Sequence, residues 1–366
     1  MKFNALTMIG ATTVLAAAIS SVFASTDTAS RFERNNPLRV SVMALGGGKV
    51  EVTVTNTSRK TARIPNWQLP SAAVESNLFA VSRNGEALRF EGRMVKRGAP
   101  TSADYTILRA GRSHRAVVDL GEMYDLSQTG DYTVTFAAPL QWASMSDGKQ
   151  LRHANGRPMV AQGAPVRLWV DGASAKLAAG MAKDRAKPGA GGSVVGGVTY
   201  KGCSSTQISG AGSAVTAARS YSENAKGYLT SGATGPRYTT WFGAYTSSRY
   251  STARQNFANI DTAMDQSGGQ ITINCGCNQS AFAYVYPTRP YEIFVCRAFW
   301  NAKNTGTDSR AGTLIHEMSH FNVVAGTDDH AYGQTAAKNL ALTDPARALD
   351  NADNHEYFAE NTPSQN

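Results

Sequence analysis

Apolar and polar residues alternate with a period of two through short stretches of the first half of the chain. Leu38-Arg39-Val40-Ser41-Val42 and Lys49-Val50-Glu51-Val52-Thr53-Val54 each put their apolar side chains on one face, as half-buried strands do. Gly46-Gly47-Gly48 joins the two runs. Shorter runs of the same kind recur at 78–81, 115–120, 131–136 and 166–170. Many short strands with frequent turn signals predict an all-β, immunoglobulin-like antiparallel sandwich over residues 25–171, its strands beginning at about residue 36. His114 and His153 stand alone in this part and read as partly exposed structural residues; it contains no catalytic constellation.

The pattern changes after a stretch rich in Ala, Gly, Lys and Ser at 172–198, which reads as a flexible, protease-accessible linker. Helical periodicity runs over 211–229 and 251–264. Three strand-like runs follow at 270–274, 281–286 and 292–297. A further helix is predicted over 311–324, capped by Ser309 or Asp308 and stopped by Gly326. Two more helices are expected at 334–342 and 351–360. Helices, a small sheet and then helices again predict an α+β unit over 199–366. Trp241, Phe242, Phe299 and Trp300 read as core residues.

Composition adds a compartment. Residues 1–24 carry Lys2, an apolar run from 5 to 19 and Val22-Phe23-Ala24 before a cleavage point, the layout of a secretory signal. That run is too short for a membrane anchor, so a secreted, extracellular protein is expected. Four cysteines, Cys203, Cys275, Cys277 and Cys296, suit two disulfides in such a protein, and spacing leaves all three pairings open. The net charge of +9 is uneven: residues 199–366 hold 12 basic and 13 acidic residues, so residues 1–198 hold 24 and 14. The basic residues are scattered among strands rather than clustered, which argues against a nucleic-acid partner. They read instead as complementing an acidic pocket in the second half.

The candidate chemistry begins at His316-Glu317-Met318-Ser319-His320. On a helix, positions i and i+4 share a face, so both imidazoles can reach one Zn²⁺, with Glu317 placed as general base for peptide hydrolysis. Leu314, Ile315, Met318 and Phe321 would bury the other side. A catalytic zinc keeps three protein ligands and one open position. Spacing leaves the third among Asp328, Asp329, His330, His355, Glu356 and Glu360.

Gly326-Thr327-Asp328-Asp329-His330-Ala331-Tyr332-Gly333 resembles the G-T-x-D-x-x-Y-G motif of the aspzincins, the zinc metalloproteases of deuterolysin and peptidyl-Lys type. The resemblance implies a zincin-like fold, one Zn²⁺ held by His316, His320 and Asp329, and Tyr332 as donor to the oxyanion. The segments 199–203, 236–243, 283–287 and 351–361 are similar to the peptidyl-Lys enzymes. That similarity implies disulfides Cys203–Cys275 and Cys277–Cys296, and a lysine-binding pocket lined by Asp353 and Glu356. Asp353 and Glu356 are i and i+3, so on a helix they share one face, and two such charges need a cation between them. A substrate lysine would supply it. The expected protein is a monomeric protease, made with a propeptide as its intramolecular partner, that cuts protein or peptide substrates before lysine. The other possibilities are a broader deuterolysin-like protease and a non-catalytic secreted binding protein.

Overall fold

The computed structural model describes residues 36–175 and 192–365. The expected signal segment and linker residues 176–191 lie outside the described residues. Within 38–170 the strands are β1 (Leu38–Gly46), β2 (Lys49–Asn56), β3 (Ala62–Pro65), β4 (Phe79–Arg83), β5 (Glu86–Ala87) and β6 (Met94–Lys96). They continue with β7 (Tyr105–Leu108), β8 (Ser113–Asp119), β9 (Gly130–Pro139), β10 (Ser144–Met145), β11 (Val160–Gln162) and β12 (Val166–Val170). The alternation seen in the sequence is kept: in β2, Val50, Val52 and Val54 are buried while Lys49 faces out. Eleven of these strands form three sheets, ordered β1-β2-β8, β10-β3-β7 and β11-β9-β4-β5, with β12 also on β9.

The second half opens with β13 (Ser193–Val195), inside the expected linker, and β14 (Val198–Lys201). Then come α1 (Ser205–Thr230), α2 (Pro236–Phe242), α3 (Ser247–Met264), β15 (Thr272–Asn274), β16 (Ala283–Val285) and β17 (Glu292–Val295). The chain ends with α4 (Arg297–Asn301), α5 (Arg310–His320), α6 (Gln334–Thr343), α7 (Pro345–Leu349) and α8 (Ala352–Glu360). A sheet of order β13-β14-β15-β17-β16 is extended at its edge by β6, which pairs antiparallel with β16. The first half therefore does more than stand beside the second. A three-residue strand, buried at every position and too short to show alternation, leaves its own sheets and joins the other half.

Two disulfides, Cys203–Cys275 and Cys277–Cys296, brace this sheet, in the expected pairing. Trp241, Phe242 and Phe299 are buried, and half-buried Trp300 packs on the core. His114 is half-buried, with Nε2 2.8 Å from the Pro70 carbonyl.

Helix α5 is buried from Ala311 to His320 and packs against α1, α3 and α8. Ser309 caps it by accepting from Gly312 N–H at 2.9 Å. Glu360 of α8 sits on the same end, accepting from Ser309 N–H at 2.9 Å, Ser309 Oγ–H at 2.8 Å and Asp308 N–H at 3.2 Å. A carboxylate there also faces the positive end of the helix dipole. The helix stops at His320, four residues short of the sequence expectation. Ser319 Oγ–H donates to the His316 carbonyl at 2.6 Å, and Thr327 N–H closes on the Ser319 carbonyl at 3.1 Å. The last turn is thus satisfied by the returning loop rather than by more helix.

Gly312 marks how closely α8 presses on α5. A Cβ at this position would lie 2.1 Å from Glu360 Oε1, whose carboxylate is pinned by three donors. Gly312→Ala should lower stability by about 1–3 kcal/mol through overpacking. A urea unfolding midpoint equal to that of the parent would refute the contact.

Candidate active site

His316 and His320 project from one face of α5, with ring centroids 4.8 Å apart. Each ring has one nitrogen committed. His320 Nδ1 lies 2.8 Å from the Thr327 carbonyl, and His316 Nδ1 lies 2.9 Å from Asp353 Oδ1. The Thr327 carbonyl places the His320 proton on Nδ1 and leaves its Nε2 as a lone-pair donor, while the His316–Asp353 approach is a close contact without hydrogen-bond geometry. Asp329 Oδ1 approaches both, at 3.2 Å from His316 Nε2 and 3.5 Å from His320 Nε2. All three atoms are buried without a hydrogen-bond partner.

Two imidazole nitrogens and one carboxylate oxygen converging in this way fit a catalytic-type metal site with room for a further ligand. An acceptor behind each ring is the usual means of orienting metal-bound histidines. His316, Asp353 and Glu356 also cluster, but through His316 Nδ1, so the two carboxylates lie behind the ring.

The loop that carries Asp329 is clamped by buried Asn351. Its Oδ1 accepts from His330 N–H at 2.8 Å and Ala331 N–H at 3.0 Å, and its Nδ2 donates to the Ala331 carbonyl at 3.0 Å. The other candidate third ligands are engaged elsewhere. His330 Nε2 meets Asp350 at 2.8 Å, Asp328 accepts from Asn77, and Glu360 caps α5. His355 Nε2 faces Asn256 at 3.1 Å.

Glu317 is buried beside this group, and neither carboxylate oxygen makes a hydrogen bond of good geometry. Burial first, and then the Asp329 charge, push it up to about 8 against the pull of His316, the Lys96 ammonium and the Lys96 backbone N–H. Tyr332 Oη donates to the Val95 carbonyl at 3.0 Å. Burial, with Asp329 nearby, raises the Tyr332 phenol well above its ordinary value. Gln141 holds the Tyr332 backbone at both ends, accepting from its N–H at 3.0 Å and donating to its carbonyl at 2.6 Å.

Asp353 and Glu356 share one face of α8, and a cation does lie between them. It belongs to this chain: Lys96 of β6 is 1% exposed, with Nζ 2.5 Å from Glu356 Oε2 and 3.5 Å from Asp353 Oδ1. Asp308 Oδ1 is a third carboxylate at 3.6 Å, and the rings of Phe282 and Tyr357 flank the ammonium at 5.2 and 5.9 Å. Burial works against the charge on Lys96, but Asp353, Glu356 and Asp308 together hold its pKa well above the ordinary lysine value. Asp353 is correspondingly kept below the carboxylate range by Lys96 and His316, against its burial.

The sequence reading placed no site residue in the first half; Lys96 corrects that. It also took Asp308 only as a possible helix cap and passed over Asn351, Thr327 and Gln141. The charge asymmetry hinted at Lys96, but nothing in the spacing singled it out from its basic neighbours. Asn351, Thr327 and Gln141 act through backbone hydrogen bonds that only the fold creates.

Residues 228–360 match the family model described as lysine-specific metallo-endopeptidase, the aspzincin family. The chain is 44% identical over 320 residues to an extracellular protease of Aeromonas hydrophila, covering 87% of this chain and 89% of that one. It is 38% identical over 331 residues to a peptidyl-Lys metalloendopeptidase of Grifola frondosa, again covering 87% and 89%. The solved zinc peptidase from Grifola frondosa is 49% identical, covers 45% of this chain and all of its own, and superposes with a TM-score of 0.43.

His355, although close to the site, has a structural role. It is packed between Phe242 and Phe257, faces Asn256 and the Asn351 carbonyl, and is depressed to about 4, chiefly by burial. The unfolded chain binds this proton below about pH 6.5, but the folded chain does so only below about 4. His355 therefore removes stability progressively as pH falls through that window, by on the order of 3 kcal/mol in full. His355→Gln should flatten the acid side of a plot of denaturation midpoint against pH. Parallel curves for parent and variant would refute this.

Proposed function

This chain belongs to the aspzincin family and is a metalloendopeptidase; on that basis we propose that it is a secreted zinc enzyme that cuts proteins on the N-terminal side of lysine. The observation that carries the lysine preference is the group of buried Asp353 and Glu356 with half-exposed Asp308, among which a lysine side chain already sits. Three acidic oxygens within reach of one ammonium, with the rings of Phe282 and Tyr357 beside it, favour a point charge on a thin stem over a planar guanidinium.

His316, His320 and Asp329 would hold the zinc. Bound there, it would supply a Lewis acid and a water acidic enough to attack at neutral pH. Glu317 takes the proton from the attacking water and returns it to the leaving amine. Tyr332 Oη, already aimed at a carbonyl, donates to the oxygen as charge develops on it. Asp353 and the Thr327 carbonyl keep the two imidazoles oriented.

Export is supported by the two disulfides and by the Aeromonas relative's description as extracellular. Among the described residues no helix is long and apolar enough to cross a membrane. We read residues 25–171 as the propeptide of immunoglobulin-like build, and the segment around 172–198 as the place of its removal.

Digestion of an unfolded protein, with every new N-terminus read by mass spectrometry, tests this. New termini should be almost all lysine, and a zinc chelator should abolish them. Glu317→Gln should lose about 100-fold or more in kcat. Asp308→Asn, which leaves the metal ligands alone, should keep its metal content but lose roughly 10-fold in kcat/KM for lysine bonds. Chelator-sensitive but scattered cleavage would retain the metal site and refute the pocket.

A further inference from the structure

Lys96 reaches the pocket as part of an extended strand. In β6, Lys96 stands opposite Ala283, Val95 opposite Tyr284 and Met94 opposite Val285. Phe282 N–H donates to the Lys96 carbonyl at 3.0 Å. One residue earlier, the Val95 carbonyl accepts from Tyr332 Oη. Strand β6 also packs against α5, the helix that carries Glu317.

The peptide bond between Val95 and Lys96 therefore has the oxyanion donor on its carbonyl, in a strand packed against the helix of the general base. The side chain on its C-terminal side fills the lysine pocket. The flanks secure this register. Arg93 and Arg97 both pair with Glu75, Arg93 stacks on Tyr284 at 4.7 Å, and Arg97 stacks on Trp67 at 4.5 Å.

We propose that Met94–Lys96 is bound as a substrate, with Val95–Lys96 in the scissile position, so that the intact chain fills its own pocket and cuts this bond in cis. This rests on the reading of the site given above. The step is hydrolysis and needs only water. The water oxygen bonds to the Val95 carbonyl carbon, the C–N bond to Lys96 breaks, and the water's proton passes through Glu317 to the Lys96 nitrogen. The products are a carboxylate at Val95 and a new amino terminus at Lys96. Until the cut, a tethered lysine holds the pocket against free peptides, because its effective concentration is set by the fold.

The test uses the full chain, purified metal-free and then given Zn²⁺. A fragment beginning at Lys96 should appear with a first-order rate constant unchanged by about 100-fold dilution, the mark of an intramolecular reaction. It should be absent from Glu317→Gln and from the metal-free chain. Lys96→Arg, which keeps a cation in the pocket, should slow the cut at least about 10-fold.

A second readout needs no turnover. A fluorescent Lys-containing peptide should fail to bind the metal-free parent but bind metal-free Lys96→Ala. The proposal is overturned if reporter peptides are cut before lysine while no fragment begins at Lys96. It is also overturned if the cut slows on dilution, or if the parent binds the peptide as well as Lys96→Ala. Reporter cleavage with no preference for lysine would instead count against the specificity reading on which the proposal depends.

Discussion

The structure turns on the pairing of charges that water cannot reach. Helix α5 is buried on every side, yet it carries two imidazoles and a carboxylate. Around it stand Asp329, Asp353, Glu356 and Glu360, all largely or wholly buried. Burying one such charge alone costs several kcal/mol. Lys96 and His316 face the pocket pair and the two imidazoles face Asp329, while Glu360, pushed up to about 9 by burial and the nearby Glu356, is held by hydrogen-bond donors at the start of α5. Three backbone or side-chain donors from Asp308 and Ser309 fix Glu360, and through it α8, against the start of α5. Asn351 at the other end of α8 fixes the Asp329 loop. Helices α5 and α8 thus form one frame that carries the paired imidazoles and the acidic pocket around Lys96 together.

That frame explains why the two halves of the chain lie within a single compact unit, Pro37–Asn366. The second half alone holds an excess of buried acid in the pocket. The first half supplies the missing cation on β6, and the strand hydrogen bonds to β16 make its approach directional. Among the described residues, the other basic side chains of the first half are spread over strands and loops. The charge pairing of the first half with the acidic pocket is made by Lys96, whereas the flanking Arg93 and Arg97 pair with Glu75 of the first half itself.

Much of this was legible in the sequence, for identifiable reasons. His316, Glu317 and His320 were visible because their spacing matches a helical turn, and Asp329 and Tyr332 because they stand in a recognisable motif. The strands β1, β2, β9 and β12 showed their period, and the long helices α1 and α3 showed theirs. Short elements without a period were missed, including β6, α4 and α7. The end of α5 was set too late, because the hydroxyl of Ser319 and the return of Thr327 override a helical pattern that continues beyond His320. Lys96 lies 260 residues from Glu356. No local rule connects them, and only the register of β6 on β16 does.

One oxygen, Asp353 Oδ1, lies 2.9 Å from His316 Nδ1 and 3.5 Å from Lys96 Nζ. The atom that faces the Lys96 ammonium therefore also lies against the His316 imidazole. Anyone redesigning the selectivity of this enzyme meets that link at once. Replacing Asp353 to change the pocket's charge would also remove the oxygen that lies against the His316 ring. Asp308 is 3.6 Å from the same ammonium and lies outside both metal-donor groups. A change at Asp308 alters the charge around that ammonium and leaves the Asp353–His316 contact in place.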